Sequence, residues 1–158
     1  MTVEQERPWI TADLVGDLQR LGIDSGMVLM VHTSLRSIGF VAGGPEAVID
    51  ALRVAIGPTG TLTMPAHTAD RSDPAEWVAP PVPEHWWPTI REHMPPFDPY
   101  GTPPQQMGAL ATALLLRRDT LRSTHPQLSH MASGPEAGYV IAPHGLDEGF
   151  GDESPLAR

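Results

Sequence analysis

The stretch from Met27 to Pro65, MVLMVHTSLRSIGFVAGGPEAVIDALRVAIGPTGTLTMP, decides the fold. Met27 to His32 is a compact apolar run that follows the turn residues Asp24-Ser25-Gly26. It is too short for a helix and reads as a buried strand. Thr33 to Gly44 reads as a loop. Pro45 suits the first turn of a helix whose Val48, Ala51, Leu52 and Ala55 share one face, and Gly57-Pro58 ends it. Thr61 to Pro65 is a second short strand. Strand, loop, helix and strand in this order form a βαβ unit, whose crossover is expected to be right-handed. Ligands of such units gather beyond the carboxyl ends of the strands. His32 and the pair Ala66-His67 are therefore expected to meet at one edge.

Upstream, Thr11 is expected to cap a helix that places Leu14, Leu18 and Leu21 on one face and stops at Gly22. Downstream, the texture changes. From Asp70 to Pro104 the chain is rich in proline and aromatic residues (Trp77, Trp86, Trp87, Phe97, Tyr100) and has little periodicity. An irregular stretch of this length is unusual unless it has a function. Met107 to Leu116 reads as a buried helix and Pro135 to Ile141 as another short one. The chain then runs out through Gly149 to Leu156 without an obvious closing element.

At 158 residues, with 41% hydrophobic and 18% charged side chains, the chain fits one globular domain. There is no cysteine, which excludes a disulfide framework and a thiol nucleophile. All 10 basic residues are arginine, so Schiff-base chemistry on lysine is excluded as well. The net charge of -9 opposes nucleic-acid binding and favours a cationic small molecule, although an acidic surface also serves solubility alone. Met1 to Trp9 contains no apolar signal core, and no run approaches the length of a membrane span, so the expectation is a cytoplasmic chain with no membrane partner.

Three features carry candidate chemistry. His32 to Gly44 combines Thr33, Ser34 and Arg36 with Gly39, Gly43 and Gly44 ahead of a helix. Its backbone N–H groups and helix start could cradle phosphate, or the run could be an ordinary glycine-assisted loop, since it fits neither common phosphate-loop spacing. His125, in Arg122-Ser-Thr-His-Pro-Gln-Leu-Ser129, is an imidazole stiffened by Pro126 and flanked by hydroxyls, and reads as a positioned base. Trp86-Trp87 could wall a sugar or simply pack a loop. Glu84-His85 and Glu92-His93 lack the second spaced ligand of a zinc site, so no metal is expected, and no serine-hydrolase elbow is present.

Taken together, seven segments in order resemble the aminoglycoside 3-N-acetyltransferase family, the acetyl-CoA enzymes unrelated to the common GNAT acetyltransferases. They are Leu21 to Gly26, Val31 to Gly44, Ala51 to Pro65, Phe97-Asp98-Pro99 with Thr102-Pro103-Pro104, Met107 to Leu110, Arg122 to Ser129, and His144 to Pro155. The resemblance implies a three-layer α/β/α fold with a mixed central sheet. It also implies acetyl-CoA as cosubstrate without a metal, and an aminoglycoside acetylated on the 3-amino group of its 2-deoxystreptamine ring. His125 would be the general base. His32, Thr33, Ser34, Leu35, Arg36, Gly39, Val41, Gly43 and Gly44 would form the CoA side. Asp98 and Ser129 would lie on the substrate side, with residues 66–104 as a long substrate-side insertion.

Two departures stand out. His130 occupies a position where the family resemblance leads one to expect an apolar or aromatic residue. The chain is also shorter than family members, so residues 1–158 are expected to form a single domain lacking its C-terminal third, with an incomplete sheet whose exposed apolar edges favour self-association into a homodimer. Alternatives on the same residues are a chain that binds CoA or self-associates without turnover, and an acyltransferase acting on another amine.

Overall fold

The structure, a computed structural model, describes residues 5–158; the first residues of the segment read for a leader lie outside them. Its centre is a four-stranded sheet in the order β1-β2-β4-β3: β1 is Val28–Met30, β2 Thr61–Pro65, β3 Thr120–Arg122 and β4 His130–Ser133. β1 and β2 run parallel, with Leu29 opposite Leu62. β4 runs antiparallel to both of its neighbours, setting Met64 opposite Met131 and Leu121 opposite Ala132. The mixed sheet is as expected. β3 and β4 have no counterpart in the residue-level reading, because segments of three and four residues with Arg, His and Ser among them show no alternation to detect.

The helix of the βαβ unit, α3, spans Gly44–Ile56 and buries Ala47, Val48, Ile49, Ala51, Leu52, Ala55 and Ile56. Gly43 enters it at φ 89°, and Gly57 leaves at φ 66° with its N–H on the carbonyls of Arg53 and Val54. The loop before it contains a short helix, α2 (Leu35–Ile38), that the sequence does not announce. α1 (Thr11–Arg20) begins one residue before the expected position. Its cap is Ile10, whose N–H donates to Asp13 Oδ2 at 3.1 Å, so Asp13 rather than Thr11 supplies the capping acceptor. Leu21, expected on the apolar face, is 79% exposed because the helix has already ended.

One sheet face carries Leu29, Leu62, Met64 and Met131, which pack with Val48, Ile49, Leu52 and Ile56 of α3 and with Leu110 and Leu114 of α5 (Gly108–Leu115); α1 lies outside α3. Alternation sends Thr61, Thr63 and Ala132 to the other face. There α6 (Ala137–Ile141) seats Ala137 and Val140 on Ala132, and Thr61 Oγ1 accepts the Glu136 N–H at 3.0 Å. The layers are thus helices, sheet and one short helix. That third layer leaves Val28 and Leu121 exposed at the two edges of its face.

The proline-rich stretch is not structureless. It contains single 3-10 turns at Ala69–Arg71, Pro74–Glu76 and Glu84–Trp86, then α4 (Trp87–His93). Arg91 of α4 grips both carboxylate oxygens of Asp73, at 2.7 and 3.0 Å, and so ties the end of the stretch to its beginning.

Candidate active site at the strand ends

β1 and β2, being parallel, release the chain at one edge of the sheet. There Val31, His32 and Thr33, leaving β1, meet Met64 and Pro65 of β2, and Gln106, Met107 and Ala111 close a cavity of about 160 Å³. The Val31 N–H still donates to the Thr63 carbonyl at 2.9 Å, which holds the start of this segment to the sheet. His32 itself is exposed at the rim. Burial first, and then His32, lower the His67 pKa, while His67 itself does not line the cavity.

The remaining residues of the 32–44 run divide by environment. Ser34 precedes α2 and Arg36 projects from it, both exposed, and no described side chain pairs with the Arg36 guanidinium. Leu35 and Val41 instead pack with the core, Val41 at 5% exposure, so their side chains are not available to a ligand. Gly39 and Gly43 are turn residues: a Cβ on Gly39 would lie 2.7 Å from Gln5 Oε1, and one on Gly43 would lie 3.1 Å from the Ala47 Cβ. Gly44 alone of the three faces open space, which suits close approach of a ligand to the backbone.

The His125 motif lies largely buried in the fold. His125 is 3% exposed, and its Nδ1 accepts the N–H groups of Gln127 at 3.2 Å and Leu128 at 3.1 Å. The two amides occupy Nδ1, and Nε2 has no described hydrogen-bond partner. No carboxylate among the described residues hydrogen-bonds the ring, and it does not line the strand-end cavity. In this arrangement the imidazole also caps a turn, as an Asx side chain does.

Ser129 makes structural contacts beside this turn. It is fully buried, donates to the Ala66 carbonyl at 2.8 Å and accepts from Arg122 Nε at 3.0 Å. The same turn takes the Thr68 hydroxyl on the Pro126 carbonyl. The motif fastens Ala66-His67-Thr68, and with them the exit of β2.

Arg122, which the sequence reading left without a role, is the hub of this clamp. At 3% exposure its guanidinium donates to the carbonyls of Ala66, Thr102 and Pro99 and lies 4.9 Å from the Phe97 ring centroid. Burial pushes it down to about 10, so it remains charged at neutral pH. It anchors the 97–102 loop, in which Asp98 is exposed, with Oδ1 accepting the Tyr100 N–H at 2.9 Å. Asp98 Oδ2 has no described partner.

Behind the clamp, four imidazoles contact one another: His125 and His144 at 4.7 Å between centroids, His67 and His130 at 5.3 Å, His130 and His144 at 6.2 Å. His144 spends both nitrogens, on Ser123 Oγ at 2.9 Å and on the Gly149 carbonyl at 3.3 Å. Burial first, and then His67, hold His130 down at about 4; burial lowers His67 and His144 as well. This packing is what His130 joins in place of an apolar side chain. Among the described residues no group of three or more histidines and carboxylates is placed to hold a metal ion.

A mixed-sheet α/β protein with a ligand-sized cavity at the exit of its parallel strands is the class that the fold and site define. Within that class, the model of the aminoglycoside 3-N-acetyltransferase family matches residues 30–158, and the chain belongs to that family. It is 40% identical over 152 residues to the SPbeta prophage-derived aminoglycoside N(3')-acetyltransferase-like protein YokD of Bacillus subtilis, covering 96% of this chain and 56% of that protein. It is 39% identical to aminoglycoside N(3)-acetyltransferase VIII of Streptomyces fradiae, covering 92% and 50%. The crystal structure of YokD superimposes with a TM-score of 0.92 over 94% of this chain and 60% of that one, at 41% identity. A structure of AAC-IIIb binary with CoASH does so with 0.81 over 96% and 55%, at 37% identity. The chain thus spans about half the length of the curated relatives it matches.

Proposed function

We propose that this chain serves acetyl-CoA-dependent acetylation of an aminoglycoside, at the 3-amino group of the 2-deoxystreptamine ring. The observation that carries the reading is the strand-end cavity, where Val31-His32-Thr33 from one end of the family match and Gln106-Met107 from its middle enclose a space of about 160 Å³. The CoASH-bound relative supports the choice of donor. Arg36 and the open backbone at Gly44 are the groups we assign to the CoA phosphates, and Asp98 Oδ2 is assigned to a substrate ammonium.

The chemistry requires the acceptor ammonium to lose a proton, because only the free amine has a lone pair, and we assign His125 to take that proton and return it to the departing thiolate. The nitrogen attacks the thioester carbonyl carbon, the amide bond forms, the carbon–sulfur bond breaks, and CoA leaves as the thiolate and is protonated. Holding donor and acceptor together supplies much of the acceleration. The His125 turn contributes by fixing the exit of β2. With acetyl-CoA as donor, we place the reaction in the cytoplasm.

Thiol release from acetyl-CoA with gentamicin, tobramycin or kanamycin tests the reaction, and a folded sample that releases none with any of the three counts against it. Calorimetry with CoA separates catalysis from binding alone: CoA binding without release would leave a chain that binds the donor only. Arg36→Ala is expected to weaken CoA about tenfold, in line with loss of a charge-assisted phosphate contact, with the melting temperature unchanged.

A further inference from the structure

The His125 ring has a second imidazole against it. His144 lies with its centroid 4.7 Å away and its plane tilted by 44°, and both rings are buried. His144 comes from the segment after α6, and its orientation is fixed at both nitrogens. Nε2–H donates to the Gly149 carbonyl at 3.3 Å, because a carbonyl can only accept. In the neutral ring Nδ1 is then the acceptor, and the Ser123 hydroxyl donates to it at 2.9 Å. Ser123 is itself held to β4: its N–H donates to the His130 carbonyl at 2.8 Å, and its Oγ accepts the His130 N–H at 2.9 Å. The sheet thus fixes Ser123, Ser123 fixes His144, and the His144 ring is what His125 meets.

The turn that His144 closes also reaches His125 at Gly149. A Cβ on Gly149 would lie 3.6 Å from His125 Nε2 and 2.5 Å from Leu128 Cδ1. Leu128 is a residue whose amide donates to His125 Nδ1, so a side chain at position 149 would press on the turn that seats the ring. Residues 144–149 therefore pack against His125 at two points, the His144 ring and the glycine.

We propose that His144 is a positioning residue for the reaction: seated by Ser123 and Gly149, its ring fixes the direction in which His125 presents Nε2 to the acceptor amine. The proposal rests on the acetyl-transfer reading. A general base works only within hydrogen-bond reach of the proton it takes, and a further group commonly orients it. With Nδ1 anchored on the Gln127 and Leu128 amides, the His125 ring can still pivot about that anchor, and the packed His144 ring blocks the pivot. Displacing a reacting group by about 1 Å costs up to about 100-fold in rate. His144 spends both nitrogens on Ser123 and Gly149, so it acts through His125 and not on the substrate.

His144→Ala and His144→Phe test this beside Leu146→Ala, an exposed change in the same turn. The phenylalanine fills the space of the imidazole without either hydrogen bond, so folding survives where alanine leaves a void. Thiol release with acetyl-CoA and tobramycin gives the kinetics, and nitrogen-15 NMR follows the His125 ring nitrogens. Both His144 variants are expected to lower kcat at least about tenfold, to keep the KM for acetyl-CoA within about twofold and to shift the His125 ring nitrogens. Leu146→Ala is expected to change none of the three. A merely structural residue would lower the melting temperature without moving kcat apart from KM. Wild-type kcat in a folded His144 variant overturns the proposal, as do His125 nitrogen shifts that stay unchanged in both. A wild-type chain that releases no thiol overturns the acetyl-transfer reading instead, and the ring shifts then decide alone whether His144 orients His125.

Discussion

At the scale of single residues, His125 shows what composition leaves open. A histidine next to proline among hydroxyls has the makings of a base, and in the fold its Nδ1 also accepts the Gln127 and Leu128 amides. Asparagine offers a carbonyl oxygen to N–H groups two and three residues on. His125→Asn is expected to keep the turn, staying within about 1 kcal/mol of wild type, and to lose thiol release, because an amide does not take up the proton. His125→Ala leaves both amides without their acceptor and is expected to cost about 1–3 kcal/mol, measured by urea denaturation. A folded His125→Asn chain with wild-type turnover would overturn the base assignment. Gly134 makes a plainer case: at φ 136°, a Cβ would fall 2.4 Å from the Gly60 carbonyl oxygen and 2.7 Å from the Thr61 Cα. Gly134→Ala should lose more than about 2 kcal/mol by the same measurement, because backbone on both sides must shift.

At the scale of elements, legibility followed length and burial. α3 repeats its apolar residues through several turns against a sheet, so periodicity exposes it, and β2 is an unbroken buried segment because it lies between β1 and β4. β3 and β4 are too short to show a period, and what makes them strands is pairing with β2 and with each other. α2 is a single turn ended by Gly39 at φ 96°, a local event that no pattern marks. α5 illustrates what burial adds. Leu114, fully buried in the core, should cost about 2–5 kcal/mol when changed to alanine. Leu116, two residues on and 78% exposed, should change stability by less than about 0.5 kcal/mol. Thermal or urea unfolding of the two variants side by side checks the contrast.

At the scale of the whole molecule, the packed histidines set the response to pH. His67, His130 and His144 all have lowered pKa values in the fold, for which burial is the first cause, so the unfolded chain takes up their protons first as pH falls. Stability from these groups is fully present above the unfolded value near 6.5 and is lost as pH falls from there toward about 4, where His130 itself titrates in the fold. The paired carboxylates Asp13, Asp73 and Asp119 are also lowered, and their contribution is lost only below their unfolded value of 3.8. Between pH 7.5 and 5 the histidines therefore govern, and the melting temperature should fall by more than about 5 °C, the scale of a kcal/mol for a domain of this size; an unchanged value would contradict the neutral cluster. The sequence by itself determined the βαβ unit, the loop-rich insertion and the family resemblance, because these rest on local periodicity and on ordered motifs. Only the tertiary structure decided which nitrogen of His125 is engaged, that Ser129 and Arg122 form a clamp, and that His144 lies against His125. Those facts depend on groups far apart in the chain competing for the same hydrogen bonds and the same space.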